Sequence, residues 1–216
     1  MPSELQTQKL LAVGVDVFQI YWTDEDKFQH AENLWRLVNH KGPRVLDVGC
    51  GVGAIGAIWQ KRHPDLVVTG VNPDPLQASA SAIPTTRGKF QECVDLPADY
   101  FDVVTFQYAL GYMPSLHLAL DKAADLLKAG GVLFIYDICC IDDTVRSLLD
   151  YRTYDIMEMK DALDYNFKDA RVLFTADHSE VFRHSMESVG EDMAAVQLIL
   201  SKTSPVCYRA VKVDNA

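Results

Sequence analysis

The sequence lacks any run of apolar residues long enough to cross a membrane. It is short of basic residues: 20 Lys and Arg stand against 30 Asp and Glu, for a formal net charge of −10 and a pI of about 4.9. That balance excludes the basic stripe with which proteins grip a phosphate backbone, so no nucleic-acid partner is expected. The densest basic group, Lys61-Arg62-His63, reads as a solvated helix end. Cysteine is sparse and odd in number, at Cys50, Cys93, Cys139, Cys140 and Cys207, without the spacing of a zinc site. No secretory signal is read ahead of these cysteines, and the acid-bearing first residues do not resemble a transit peptide. Reduced thiols in a cytoplasmic compartment are therefore expected. No His/Asp cluster stands at ligand spacing, so no metal is expected either. Internal repeats and low-complexity stretches are absent.

What is present suits one α/β domain. Of 216 residues, 49% are apolar, enough for a full core. Residues 1–43 read as a helical cap in two parts. The second part starts at Thr23, paired with Asp26 in a capping box, and ends at Gly42-Pro43. From 44 to 138 strands alternate with helices. Strands are expected at Val45–Val48, Leu66–Val71, Phe90–Val94, Val103–Gln107 and Val132–Ile138. Helices are expected at Ala54–Arg62, after Asp74-Pro75, and at Leu116–Lys128, the last closed by Ala129-Gly130-Gly131. In 139–216 the pattern predicts helix over Asp143–Tyr165, strand at Arg171–Thr175, helices at Ser179–Ser188 and Glu191–Ser201, and a final strand at Cys207–Val213. Buried strands separated by helices predict a doubly wound, mostly parallel sheet covered on both faces. The long stretch between the last two strands predicts a structured cover over a site.

Residues 45–56 read V-L-D-V-G-C-G-V-G-A-I-G. Gly49, Gly51 and Gly53 follow a buried strand and precede a helix. There, glycines permit a sharp turn and let a ligand approach the backbone. Gly51, Gly53 and Gly56 also spell the dinucleotide fingerprint of nicotinamide dehydrogenases. Two residues speak against that reading. Asp47 lies inside the strand, where it faces a cationic group, and the expected ribose acid is replaced by Asn72.

The segment V-L-D-V-G-C-G-V-G at 45–53 resembles motif I of class I S-adenosylmethionine (SAM)-dependent methyltransferases. The resemblance runs on, in order and spacing, through V-T-G-V-N at 68–72, F-Q-E-C at 90–93 and L-P-A-D-Y-F-D-V-V at 96–104. It continues through A-L-G-Y-M-P at 109–114 and L-L-K-A-G-G-V-L at 126–133. It implies a Rossmann-like sheet of seven strands with the last antiparallel, and SAM as cofactor with S-adenosylhomocysteine as product. It further implies that Asp47 and the backbone of Gly49, Cys50, Gly51 and Gly53 meet the methionine end, with Gln107 beside them. Asn72 would bond the ribose, flanked by Pro73 and Gln77. Glu92 would receive the adenine amino group, and the Cys93 backbone N–H would meet the ring.

The acceptor is expected at the C-terminal ends of the fourth and fifth strands. Candidates there are Tyr108, Tyr112, His117, Tyr136 and Asp137, with Tyr21, Trp22, His178 and Glu180 on the cover. Tyr112, His178 and Glu180 are the candidate catalytic groups. The stretch V-N-P-D-P-L-Q, with Asn72 and Gln77, is similar to the N-x-S-x-x-Q variant of C-methylating members acting on sterols, isoprenoids and fatty acyl chains; Asp74 replaces the usual Ser. The family thus implies methyl transfer to a small molecule at O, N or C, an isoprenoid or lipid-like acceptor among the options. The alternative is a SAM-binding regulatory or scaffold protein without transferase activity.

Overall fold

The computed structural model describes residues 24–93, 95–140, 142, 151–175, 198 and 201–213. The expected cover helices at 179–188 and most of 191–201 lie outside the described residues, as do Tyr21, Trp22, Thr23, His178 and Glu180; the capping partner Asp26 has no described side chain.

The described residues begin with helix α1 (Asp24–Val38), whose Ala31, Leu34 and Val38 are buried at helical spacing. It stops earlier than Gly42-Pro43, because Asn39 takes a left-handed φ of 45°. Strand β1 (Arg44–Val48) follows, then α2 (Ala54–Arg62), β2 (Val67–Asn72) and the short α3 (Pro75–Ser79). The expected cap of α3 is observed: Asp74 accepts from the backbone N–H of Leu76 and Gln77, with Pro75 in the first turn.

One expected strand is elsewhere. Strand β3 is Thr85–Arg87, and Phe90–Glu92 forms a 3₁₀ turn. Thr85–Arg87 pairs in parallel with Gly70–Asn72 of β2, while Phe90 turns inward to stack edge-on against Phe106 at 5.5 Å. The apolar signal at 90–94 therefore marks a buried anchor, not a ladder.

Strand β4 (Phe101–Gln107) leads to a second 3₁₀ turn at Leu110–Tyr112 and to α4 (Leu116–Leu126). Strand β5 spans Leu127–Cys140. The helix ends before Ala129-Gly130-Gly131 because Leu127 already pairs with Phe101, and the ladder resumes at Val103 with Val132. The residues between bulge out around Gly130, and Lys128 is drawn 2.6 Å from Asp102.

Of the helix expected over 143–165, the described part is helical at α5 (Ile156–Leu163). Tyr151, Thr153 and Tyr154 are buried in extended chain, Tyr154 bridging Cys139, and α5 starts where Asp155 and Glu158 form a capping box. Strands β6 (Phe167–Thr175) and β7 (Thr203–Lys212) complete the sheet.

The sheet order is β3-β2-β1-β4-β5-β7-β6, with β7 antiparallel to both neighbours and the other pairings parallel. The expected seven-stranded doubly wound α/β sheet is thus observed. Successive strand residues alternate between two cores. Val45, Val103, Val132 and Phe134 pack with Leu34 and Val38 of α1 and Trp59 of α2. Leu46, Val104, Leu133 and Ile135 pack with Leu120 of α4 and Leu163 of α5. Trp59 is fully buried and satisfies its indole N–H on the Ala31 carbonyl at 2.8 Å, locking α1 to α2.

The order reverses between β1 and β4. Strand β1 runs outward to β2 on one side and to β4 on the other, so the loops after them diverge and leave a crevice at their C-terminal ends.

Candidate functional site

A cavity of about 410 Å³ opens at that crevice. Its walls come from the glycine loop after β1, the β2–α3 connection, the Phe90–Glu92 turn and the segment after β4.

The glycine loop is held by backbone bonds: Gly49 and Cys50 both donate to the Val71 carbonyl, at 2.8 and 3.3 Å. Gly49 has a φ of +72°, and a Cβ there would lie 2.6 Å from the Ala109 methyl. Only glycine lets this loop pass so close to the segment after β4. Gly49 and Gly51 line the cavity; Gly53 caps α2, and Cys50 turns its thiol toward Thr85.

Asp47 is 3% exposed on β1, between Gly70 and Thr105. It accepts from Gln107 Nε2 at 3.4 Å. Asp47 itself does not line the cavity; Gln107 does, and its Oε1 is buried without a hydrogen-bond partner. A buried orphan acceptor costs free energy unless a donor arrives, so this wall fits a cationic N–H donor backed by the carboxylate.

Asn72, Pro73 and Gln77 all line the cavity. The Asn72 amide, however, is turned inward on the protein. Its Nδ2 donates to Gly51 O and to Gln77 Oε1, both at 2.9 Å, and its Oδ1 accepts from the Asp74 N–H at 3.0 Å.

The Phe90–Glu92 turn departs from expectation. Glu92 points to solvent, where it pairs with Lys89 at 3.3 Å, and it is not part of the cavity wall. The Cys93 N–H is spent within the turn on the carbonyls of Lys89 and Phe90, at 3.1 and 3.3 Å. The residue that reaches the cavity is Gln91, whose buried Nε2 has no hydrogen-bond partner. Lys122 of α4 fastens this turn by donating to the carbonyls of Gln91, at 3.4 Å, and Cys93. Neither Gln91 nor Lys122 stands out in the sequence, where the F-Q-E-C segment draws attention to Glu92.

Beyond β4 the wall becomes aromatic. Tyr108 lines the cavity with a left-handed φ of 52°, sparsely populated for a bulky residue. Its phenol is hydrogen-bonded to that of Tyr136, whose ring lies 5.1 Å away, and burial pushes both phenols well above their ordinary range. Tyr112 and Met113 also line the cavity. Tyr112 is 63% exposed and rests edge-on against Tyr151 at 4.8 Å.

Tyr151 is tied in turn to Asp137 at the end of β5. The carboxylate accepts from the Tyr151 hydroxyl at 2.5 Å, Ile138 N at 2.7 Å and Leu110 N at 3.1 Å, and from the Ala109 N–H. Burial lifts its pKa to about 6, and those donors oppose the rise. Asp137 thus sits behind the wall and pins the backbone at Ala109–Leu110. His117 is exposed on α4, away from the cavity.

Among the described residues no group of His, Cys, Asp or Glu could hold a metal ion, and no helix is long and apolar enough to cross a membrane. The four described cysteines, Cys50, Cys93, Cys139 and Cys207, are free thiols.

Comparison with known proteins adds to this geometry. A family model described as a methyltransferase domain matches residues 22–193. A ubiquinone biosynthesis O-methyltransferase of Coxiella burnetii (strain Dugway 5J108-111) is 30% identical over 159 residues, covering 63% of this chain and 65% of that protein. The enzyme of the same description from Pectobacterium atrosepticum is 32% identical over 117 residues, covering 51% of this chain and 46% of the relative. The chain thus spans about half to two thirds of the length of these curated relatives. Among solved structures, geranyl diphosphate C-methyltransferase from Streptomyces coelicolor A3(2), in complex with Mg2+, geranyl diphosphate and S-adenosyl-L-homocysteine, superposes with a TM-score of 0.71 at 14% identity. The match covers 88% of this chain and 80% of that one.

Proposed function

We propose that this chain, a member of the methyltransferase domain family, uses SAM as methyl donor and methylates a small, isoprenoid-bearing acceptor at oxygen or carbon. The observation that carries this reading is one cavity at the switch point of the sheet, with two buried, unpartnered carboxamide atoms in its walls. Both fit the donor. Gln107 Oε1, backed by the Asp47 carboxylate, would accept from the ammonium of the methionine end. The Gln91 amide matches the adenine edge, because a carboxamide both donates to a ring nitrogen and accepts from the exocyclic amine. The glycine loop offers backbone without side-chain obstruction. When bound, SAM supplies an activated methyl group on a sulfonium.

The chain's part in transfer is then alignment and exclusion of water. Tyr108, Tyr112 and Met113 present an apolar, aromatic surface after β4 and would seat the hydrophobic part of the acceptor. The aromatic faces also suit a cationic intermediate, should the methylated atom be an alkene carbon. The V-N-P-D-P-L-Q stretch and the names of the similar proteins support an isoprenoid-bearing acceptor. His178 and Glu180 stay as candidates for accepting a proton from a phenol. Free thiols and an acidic surface support a cytoplasmic enzyme without a nucleic-acid partner.

The test is methyl transfer from radiolabelled SAM to a panel of hydroxylated prenyl arenes, isoprenyl diphosphates and small amines. Label in the first two classes and not the amines is expected. Tight S-adenosylhomocysteine binding with no transfer to any member would overturn the acceptor reading and favour a SAM-binding regulatory protein.

A further inference from the structure

We propose that the carboxylate receiving the ribose hydroxyls is Asp74, and that Asn72 is a positioning residue that sets the donor site without touching the ribose. This rests on the reading that SAM binds in this cavity. Asn72 is 4% exposed, and its hydrogen-bonding capacity is nearly all committed inside the protein. An amide nitrogen carries two protons. One goes to Gly51 O on the glycine loop, the other to Gln77 Oε1 on α3, each at 2.9 Å. Its oxygen takes the Asp74 N–H at 3.0 Å. Three cavity-lining segments are thereby fixed to one side chain at the end of β2. No proton remains on Asn72 for a ligand, and one lone pair is a poor match for two vicinal hydroxyls, each of which donates.

Asp74 has what Asn72 lacks. It lines the same wall, and a carboxylate offers two acceptor oxygens and no donor. Its Oδ1 takes the N–H groups of Leu76 and Gln77, at 2.9 and 2.8 Å. Its Oδ2 makes no further hydrogen bond among the described residues. One oxygen thus fixes the carboxylate as a helix cap, and the other keeps its lone pairs for hydroxyl donors at the wall that Asp74 lines. The Asn72–Asp74 backbone bond then makes the two roles a single device, since Asn72 sets where the Asp74 carboxylate stands.

An unusual consequence concerns position 72. An acid there would have no proton to donate to Gly51 O or Gln77 Oε1, and would set a carboxylate oxygen against two carbonyl oxygens. Gln77 can turn its amide to present nitrogen instead; the Gly51 carbonyl belongs to the loop and cannot. Asn72→Asp should therefore weaken binding, although a carboxylate is the better ribose acceptor.

The experiment is calorimetric titration of S-adenosylhomocysteine and its 2′-deoxy and 3′-deoxy analogues into wild type, Asp74→Asn and Asn72→Asp. Asn caps a helix as well as Asp does, so Asp74→Asn keeps α3. Asp74→Asn should lose about tenfold in affinity for the parent ligand, the scale of a charge-assisted hydrogen bond. The deoxy analogues should then lose little more, because the hydroxyls' partner has gone. Asn72→Asp should also lose about tenfold, yet keep the wild-type penalty for the deoxy analogues. Asp74→Asn binding like wild type, or the deoxy penalty vanishing in Asn72→Asp instead, overturns the assignment while wild-type binding upholds the donor site. A wild type that does not bind the parent ligand overturns both. Where Asn72→Asp does not fold, the Asp74→Asn titrations decide the assignment by themselves.

Discussion

Replacing Tyr151 by Phe removes one hydroxyl and leaves its ring against Tyr112, so packing is nearly conserved and no cavity forms. What is lost is the donor to the buried Asp137 carboxylate. A hydrogen bond to a charged group contributes about 1.5–3 kcal/mol, and a neutral one about 0.5–1.5 kcal/mol. The loss must therefore depend on pH. Burial holds the Asp137 pKa at about 6, above the ordinary 3.8, so the native state binds this proton more tightly than the unfolded chain. Stability from this group is complete below about 3.8 and is lost as pH rises through about 6. In the ionised state, carrying the charge costs the wild type roughly 3 kcal/mol. At pH of about 7.5 the native carboxylate is charged, and Tyr151→Phe should destabilise by about 1.5–3 kcal/mol. At pH of about 5 it is mostly protonated, and the loss should shrink to about 1 kcal/mol. Urea unfolding followed by circular dichroism at both pH values measures each difference. An equal loss at the two pH values, or a loss under about 0.5 kcal/mol at both, would show that Asp137 does not depend on this hydroxyl.

Other substitutions probe the cavity. Asp47→Asn should lower S-adenosylhomocysteine affinity about tenfold by removing the charge behind Gln107; unchanged calorimetric affinity with a lowered Tm would make Asp47 structural. Gln91→Ala should weaken the same ligand about tenfold while Glu92→Ala leaves it unaltered, and the reverse ranking would restore Glu92 to the adenine site. Gly49→Ala forces a methyl to within 2.6 Å of Ala109 at a φ of +72°. It should destabilise by more than about 2 kcal/mol and abolish cofactor binding, both read from thermal melts with and without ligand; a wild-type melt and a normal ligand shift would refute the close approach.

The sheet was legible because its causes are local. Apolar strands such as Val45–Val48 need two covered faces, and Asp74-Pro75 carries its own capping chemistry. Strand β3 was not legible: Thr85–Arg87 has no apolar pattern and is a strand only through its pairing with β2, whereas Phe90 advertised an element that its burial against Phe106 explains. The site divides similarly. Gly49 and Gln107 follow from their positions at the C-terminal ends of strands. In a 3₁₀ turn neighbouring side chains point about 120° apart, so Gln91 enters the cavity and Glu92 leaves it, a distinction that a motif match one residue wide does not make. The engagement of Asn72 with Gly51 and the reach of Tyr151 to Asp137 join residues distant in sequence, and no local pattern announces either.

Strand β7 has one more consequence, for the order in which the chain can assemble. It lies between β5 and β6, and among the described residues β6 has no other neighbour in the sheet. As the polypeptide is made, β5 therefore waits with an open edge, from Cys140 until Thr203 has been added. Strand β6, already synthesised, still lacks its one partner among the described residues. The same late strand sends Arg209 to the Val38 carbonyl at the end of α1, at 3.0 Å. Early helix and late strand thus close together in one long-range step, the kind of pairing that slows folding and leaves a strand edge open meanwhile. A chain cut just before Thr203 would leave β6 without its described pairing as well as losing β7.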